Sequence, residues 1–269
     1  MKLRIARLGA LPIIPLLLLA AVPAGADQAR DLNWSGRVPA GATLTVDSIN
    51  GNITADAARG TEAATVVAHA TSKLGDLSKV RLQVKESARG VVVCAVTPYQ
   101  EVSEDCTSSH SIESVDRDHA IRIDFTVHVP RGAEFQARAV NGRIQIAPLS
   151  GRVDAKTVNG SISVASAERI RAKTVNGSID AQIGDPRWSG DLAFATVNGS
   201  IKIVVPSGAS FGVSARTVNG AIDAQAFGLE STGRFVGRRL DGTVGSSAAG
   251  RSLTLKTVNG SIALTPAGR

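Results

Sequence analysis

The sequence predicts an all-β fold, a β-solenoid with about 20 residues per coil, and three observations lead there. The 269 residues are 43% hydrophobic and 20% charged, with 27 Gly, 3% aromatic residues and one Met. Their apolar set is rich in Val, Ile and Ala, a mix that suits short strands and argues against a helix bundle. Seven of the nine Asn residues are followed by Gly: Asn50, Asn141, Asn159, Asn176, Asn198, Asn219 and Asn259. The residues around those pairs alternate apolar and polar, the period of a strand with one buried face.

The first element is not part of the fold. Residues 1–26 have a basic start (Lys2, Arg4, Arg7), an apolar run from Leu8 to Val22 and then Ala24-Gly25-Ala26. That is the pattern of a secretory signal peptide, with cleavage expected before Asp27. The run is broken by Pro12 and Pro15 and is too short for a span, and no later segment is long and apolar enough to cross a bilayer, so the mature chain has no expected transmembrane anchor. The expected localisation is exported, in the periplasm or at the cell surface.

Residues 27–130 form an N-terminal β region. Thr43 to Ser48 lead into Asn50-Gly51, Val80 to Val84 and Val91 to Val96 read as strands, and Ile121, Ile123, Phe125, Val127 and Val129 alternate with polar residues. Cys94 and Cys106 bracket a polar stretch, and in an oxidising compartment they are expected to form one disulfide closing a loop at 94–106. Two free thiols are the rival, without a Cys-x-x-Cys spacing in their favour. Residues 97–120 are polar and irregular and read as a long loop.

Residues 131–269 carry the repeat, continuous with the preceding region. Thr-Val-Asn-Gly-Ser-Ile begins at Thr157, Thr174, Thr196 and Thr257, with close variants at Thr217 and Ala139, and the Asn spacings from Asn141 onward are 18, 17, 22, 21 and 40. A degenerate copy at Asp241-Gly242 divides the last interval. A slower repeat, Val-Pro-x-Gly-Ala, starts at Val38, Val129 and Val205 and marks the start of a strand layer. Each unit then reads as strand, Asn-Gly turn, strand, second turn. Taken singly, Asn-Gly is the strongest short hairpin signal, since both positions tolerate positive φ, so an antiparallel meander or a β-sandwich of hairpins is the alternative. Identical residues at a 20-residue period have a reason to be identical when they stack, and stacked Asn side chains can bond to one another.

The Val-Pro-x-Gly-Ala strand starts, the Asn-Gly-x-Ile turns and the signal peptide together resemble an exported bacterial β-strand-repeat family of unknown function, labelled putative adhesin. The resemblance runs from about Trp34 to Leu264. It implies a right-handed β-solenoid-like fold in the cell envelope, and it brings no catalytic residues with it.

Charge divides the chain. Residues 27–130 hold 10 Lys/Arg against 14 Asp/Glu, whereas residues 131–269 hold 17 against 9. Stacking turns this into a register: three residues before each Asn, or Asp241, stand Arg138, Lys156, Lys173, Ala195, Arg216, Arg238 and Lys256. A row of cations on a solvent face is a candidate site for an anionic envelope polysaccharide, and a solvated edge that resists strand pairing is its plainer reading. Four residues after the Asn, Asp180, Lys202 and Asp223 are expected to alternate in a self-neutralising ladder.

Enzyme signals are missing. There is no Gly-x-Ser-x-Gly elbow, no His-Glu-x-x-His, no phosphate-binding Gly loop and no zinc-spaced Cys/His cluster. His110 and His119 around Asp116 and Asp118 read as an exposed loop, and His69 and His128 as surface residues. Few aromatics disfavour nucleic acid. The sequence therefore points to a non-enzymatic envelope protein, adhesin-like or scaffolding, without catalytic residue, metal or cofactor, whose partner is an anionic envelope polysaccharide or another envelope protein. The alternatives are an enzyme acting on polysaccharide through the 97–120 loop and a self-associating structural protein.

Overall fold

The structure, a computed structural model, describes residues 28–59, 63–73, 76–97, 106, 121–166, 168–233, 237–246 and 250–268. Residues 1–26, expected to be a signal peptide, and most of 97–120, expected to be a loop, including Glu104, His110, Asp116, Asp118 and His119, lie outside the described residues.

Twenty strands follow one another among the described residues. The N-terminal region contributes β1 (Gln28–Arg37), β2 (Thr43–Asn50), β3 (Ile53–Ala57), β4 (Ala63–Ser72), β5 (Arg81–Ser87), β6 (Gly90–Val96) and β7 (Arg122–Val129). The repeat region contributes β8 (Glu134–Asn141), β9 (Ile144–Leu149), β10 (Val153–Lys156), β11 (Ile162–Ser166), β12 (Ile170–Lys173), β13 (Ile179–Ile183), β14 (Asp191–Ala195) and β15 (Ile201–Val205). It ends with β16 (Phe211–Asn219), β17 (Ile222–Asp223), β18 (Arg238–Val244), β19 (Ser252–Asn259) and β20 (Ile262–Pro266).

These strands make two ten-stranded sheets. One runs β1-β4-β7-β3-β9-β11-β13-β15-β20-β17, the other β18-β16-β19-β14-β12-β10-β8-β2-β6-β5. The strand before each Asn-Gly lies in the second sheet and the strand after it in the first. The turn therefore carries the chain between sheets instead of folding a hairpin, and equivalent strands of successive units pair parallel, as Val153 with Ile170 and Ile162 with Ile179 do. The two inner faces share one core, in which the alternating Val153, Ala155, Ile162 and Val164 and their counterparts are buried.

Each repeated residue of the turn has a task. The Asn side chains form an unbroken ladder in the order Asn50, Asn141, Asn159, Asn176, Asn198, Asn259 and Asn219, each Nδ2 after the first donating to the Oδ1 of the Asn before it at 2.7–2.8 Å. The buried Thr two residues earlier donates across to the neighbouring unit's glycine carbonyl, as Thr174 Oγ1 does to Gly160 O at 2.9 Å. Glycine is needed for this close approach. A Cβ on Gly177 would stand 2.0 Å from Gly160 O, and one on Gly199 2.0 Å from Gly177 O. This corrects the hairpin rationale: the Asn residues do not have positive φ, and of the seven glycines only Gly51 and Gly260 do, so stacking is what all the pairs share. The Val-Pro-x-Gly-Ala segments are the true tight turns, with Gly41, Gly132 and Gly208 at φ 77–79° and an amide such as Ala42 N donating to Pro39 O at 3.0 Å.

Space and sequence disagree at one end. β19 and β20 lie between β14/β15 and β16/β17, so Asn259 sits between Asn198 and Asn219. Asp241 is not in the ladder at all, because β18 runs antiparallel to β16 and covers its edge. The ladder's seventh member is instead Asn50, from the N-terminal region. Trp188 closes the core nearby, buried with its ring 5.3 Å from that of Phe211.

Candidate binding face and cavity

Strand alternation points the residue three before each Asn outward, and parallel registry lines the copies up. Asp47, Arg138, Lys156, Lys173, Ala195, Lys256, Arg216 and Arg239 occupy one line across the second sheet, with strand spacing of about 4.8 Å. Five of the six expected cations share it. The sixth does not: the antiparallel β18 sets Arg239 opposite Arg216 and shifts Arg238 opposite Thr217. Lys173, Lys256, Arg216 and Arg239 are exposed and Lys156 is half-buried.

Acids compensate part of the line. Arg138 faces Asp47 at 3.8 Å, Lys156 reaches Asp154 at 3.2 Å, and Arg239 is in close contact with Asp241. Hydrogen bonds from Arg239 and then Ser214, with the charges of Arg239 and Arg216, hold the Asp241 carboxyl below its ordinary range. Lys173, Lys256 and Arg216 make no ion pair among the described residues, and Arg171 stands beside Lys173 on the same face of β12. On the other sheet the expected acid–base ladder is interrupted. Asp180 lies opposite Lys202 in the strand register, but Ala263 of the inserted β20 separates Lys202 from Asp223.

Two features escaped sequence reading. The residue before each Asn also points outward, next to the cation. Val158, Val175, Val197, Val258 and Val218 are 38–42% exposed and are the exposed large hydrophobics among the described residues, making an apolar stripe alongside the basic line. The repeated Val was the available signal, since it shares the parity of the Lys two residues earlier.

The second feature is a cavity of about 370 Å³ where the ends of β2, β6 and β8 meet the start of β7. Ile121, Ile123, Phe125 and Ala139 form its apolar floor, and the Cys94–Cys106 disulfide forms one wall. Val140 and Val158 at its mouth continue into the stripe, and Asp47, Arg138 and Lys156 are its charged members. Burial raises the Asp47 carboxyl from 3.8 to about 6 despite the opposing pull of Arg138, and its Oδ1 is buried without a hydrogen-bond partner. Cys94 and Cys106 are thus joined, as the sequence led one to expect. His69 lies 2.5 Å from Asp31, and His128 is in close contact with Asp56, both as exposed cross-strand pairs. No group of three or more metal-ligating side chains occurs among the described residues.

No family model and no curated protein matches the chain. Solved bacterial structures described as adhesins or cell adhesion proteins are similar to it. One is a putative cell adhesion protein from Clostridium sporogenes, 8% identical, covering 89% of this chain and 100% of its own, with a TM-score of 0.49. Another is a putative adhesin from Bacteroides fragilis, 11% identical, covering 88% and 97%, with a TM-score of 0.35. A third, from Parabacteroides merdae, is 8% identical over 88% and 96%, with a TM-score of 0.28.

Proposed function

We propose that the chain is a non-enzymatic, exported envelope protein, a right-handed β-solenoid of adhesin-like or scaffolding type, whose basic line holds an anionic polysaccharide. The N-terminal 26 residues and the disulfide support export. Parallel pairing of successive units in two sheets supports the solenoid.

One observation carries the binding reading: Lys173, Lys256 and Arg216 lie on a single outward line and make no ion pair among the described residues. Cations on adjacent strands there, Lys156 beside Lys173 and Lys256 beside Arg216, repel by about 1 kcal/mol or less per pair in water, a cost that the line keeps. A flexible polyanion with charges at sugar spacing would remove that repulsion. The test is binding of the purified protein to alginate, with neutral dextran as control, between 0.1 M and 1 M NaCl, where the screening length falls from about 10 Å to about 3 Å. Alginate binding that weakens with salt and is lost when Lys173, Lys256 and Arg216 are all changed to Gln is the expected result. Equal binding by parent and variant, or equal binding of dextran, refutes the reading.

A further inference from the structure

We infer that the cavity beside Asp47 is a binding site for the acyl chain of a single-chain anionic amphiphile, its acid group held at the mouth by Arg138 and Lys156. The inference does not rest on the polysaccharide reading, because the cations that carry that reading, Lys173, Lys256 and Arg216, do not line the cavity.

Shape and chemistry select this ligand class. At about 370 Å³ the cavity is large enough for a small ligand, within the range of about 300–1,000 Å³ typical of such sites. Its floor of Ile121, Ile123, Phe125 and Ala139 offers no hydrogen bonds from side chains, and of the polar lining residues Ser48 donates to Ile123 O, Thr157 to Gly142 O and Asn50 accepts from Asn141, so an apolar chain fits the floor. A purely apolar ligand, however, would leave Asp47 Oδ1 without a partner beside the mouth, where Arg138 and Lys156 stand within reach of Asp47 and Asp154. An acid group there gains charge-assisted bonds from Arg138 and Lys156. Asp47, whose carboxyl burial holds protonated to about pH 6, can donate its proton to a ligand oxygen and fill the gap at Oδ1. Arg138 is already oriented, with Nη2 donating to Gln136 Oε1 at 3.1 Å. Val140 and Val158 lead out of the cavity onto the valine stripe, so a chain longer than the cavity has apolar surface to follow.

Calorimetric titration of the full protein with monomeric decanoate tests the site, beside 1-decanol (chain alone), acetate (acid alone) and vesicles of phosphatidylglycerol. One decanoate per chain is expected, with decanol weaker by about tenfold or more, the size of one charge-assisted hydrogen bond, and no acetate binding. Val158→Glu and Lys156→Gln, both at accessible positions, should each weaken decanoate by a similar factor while leaving the unfolding midpoint near that of the parent. The triple variant at Lys173, Lys256 and Arg216 should bind decanoate normally even where alginate binding is lost. Absence of saturable decanoate binding, binding unchanged in both cavity variants, or binding to vesicles alone would each overturn the inference.

Discussion

Asp47→Asn should stabilise the protein, and by an amount that depends on pH in a defined way. Asp47 has an ordinary carboxyl value of 3.8 when the chain is unfolded and about 6 when burial in the folded state penalises its charge. Below pH 3.8 both states hold the proton and the site costs nothing. Between 3.8 and 6 the unfolded chain releases the proton first, so stability falls as pH rises, and above 6 the full penalty is present. At 1.36 kcal/mol per pH unit that penalty is about 3 kcal/mol. Asn keeps the shape and removes the charge. It also removes the 3.8 Å pairing with Arg138, but that guanidinium is 44% exposed and keeps Gln136, so the loss is about 1 kcal/mol at most. Urea titration at pH 3.5, 5 and 7.5 should therefore show the variant level with the parent at the lowest pH and about 2–3 kcal/mol more stable at the highest. The other carboxylates titrate alike in both proteins and cancel. A variant less stable than the parent at pH 7.5, or a difference that does not change with pH, refutes the desolvation argument.

Three further outcomes are expected. Asn176→Ala breaks two ladder bonds of 2.8 Å and should cost about 1–2 kcal/mol, whereas Asn219→Ala, at the ladder's end with one bond, should cost about half as much in urea unfolding. Gly177→Ala puts a Cβ 2.0 Å from a neighbouring carbonyl and should cost about 3 kcal/mol or more, while Gly208→Ala, which has open space but φ of +78°, should cost only about 1–2 kcal/mol. Reduction of Cys94–Cys106, whose loop spans a sequence separation of 12, should lower stability by about 2–3 kcal/mol in a denaturant titration with and without dithiothreitol.

The sequence made strands, units and stacking legible because each depends on residues close together in the chain. Alternation around Asn159 or Asn176 is a local signal, and so is the choice of Thr, Asn and Gly at a fixed offset. The order of units is not local. Arg239 replaces Arg238 in the basic line, and Ala263 intrudes between Lys202 and Asp223, because β18 turns back along β16 and β20 enters between β15 and β17. Nothing within a 20-residue window distinguishes a unit that stacks next from one that stacks out of turn. The cavity was hidden for the same reason, since Asp47, Ile123 and Lys156 belong to three distant stretches. Asp47 by itself reads as one more outward polar residue of β2, and only Arg138, Cys94 and the floor of β7 make it a desolvated acid. The valine stripe was legible in principle. Its side chains repeat as faithfully as the Asn, but an exposed Val is ordinary until its neighbours above and below are known.

The position of β19 and β20 sets a timetable. A chain synthesised from its N-terminus can add units one by one from Asn50 to Asn198, each closing a bond to a residue already in place. There it must wait. Phe211–Asp223 has no seat of its own on β14 and β15, since its neighbours are β19 and β20, and these are made last. Phe211–Asp223, with β18 along its other edge, therefore waits for its seat until Ser252–Pro266 arrives, and the final segment completes two contacts at once, with Asn198 on one side and Asn219 on the other. A ribosome stalled before residue 252 would hold an open-ended stack whose free edge can accept a strand from any neighbour. Whatever protects nascent chains has its work to do in that interval.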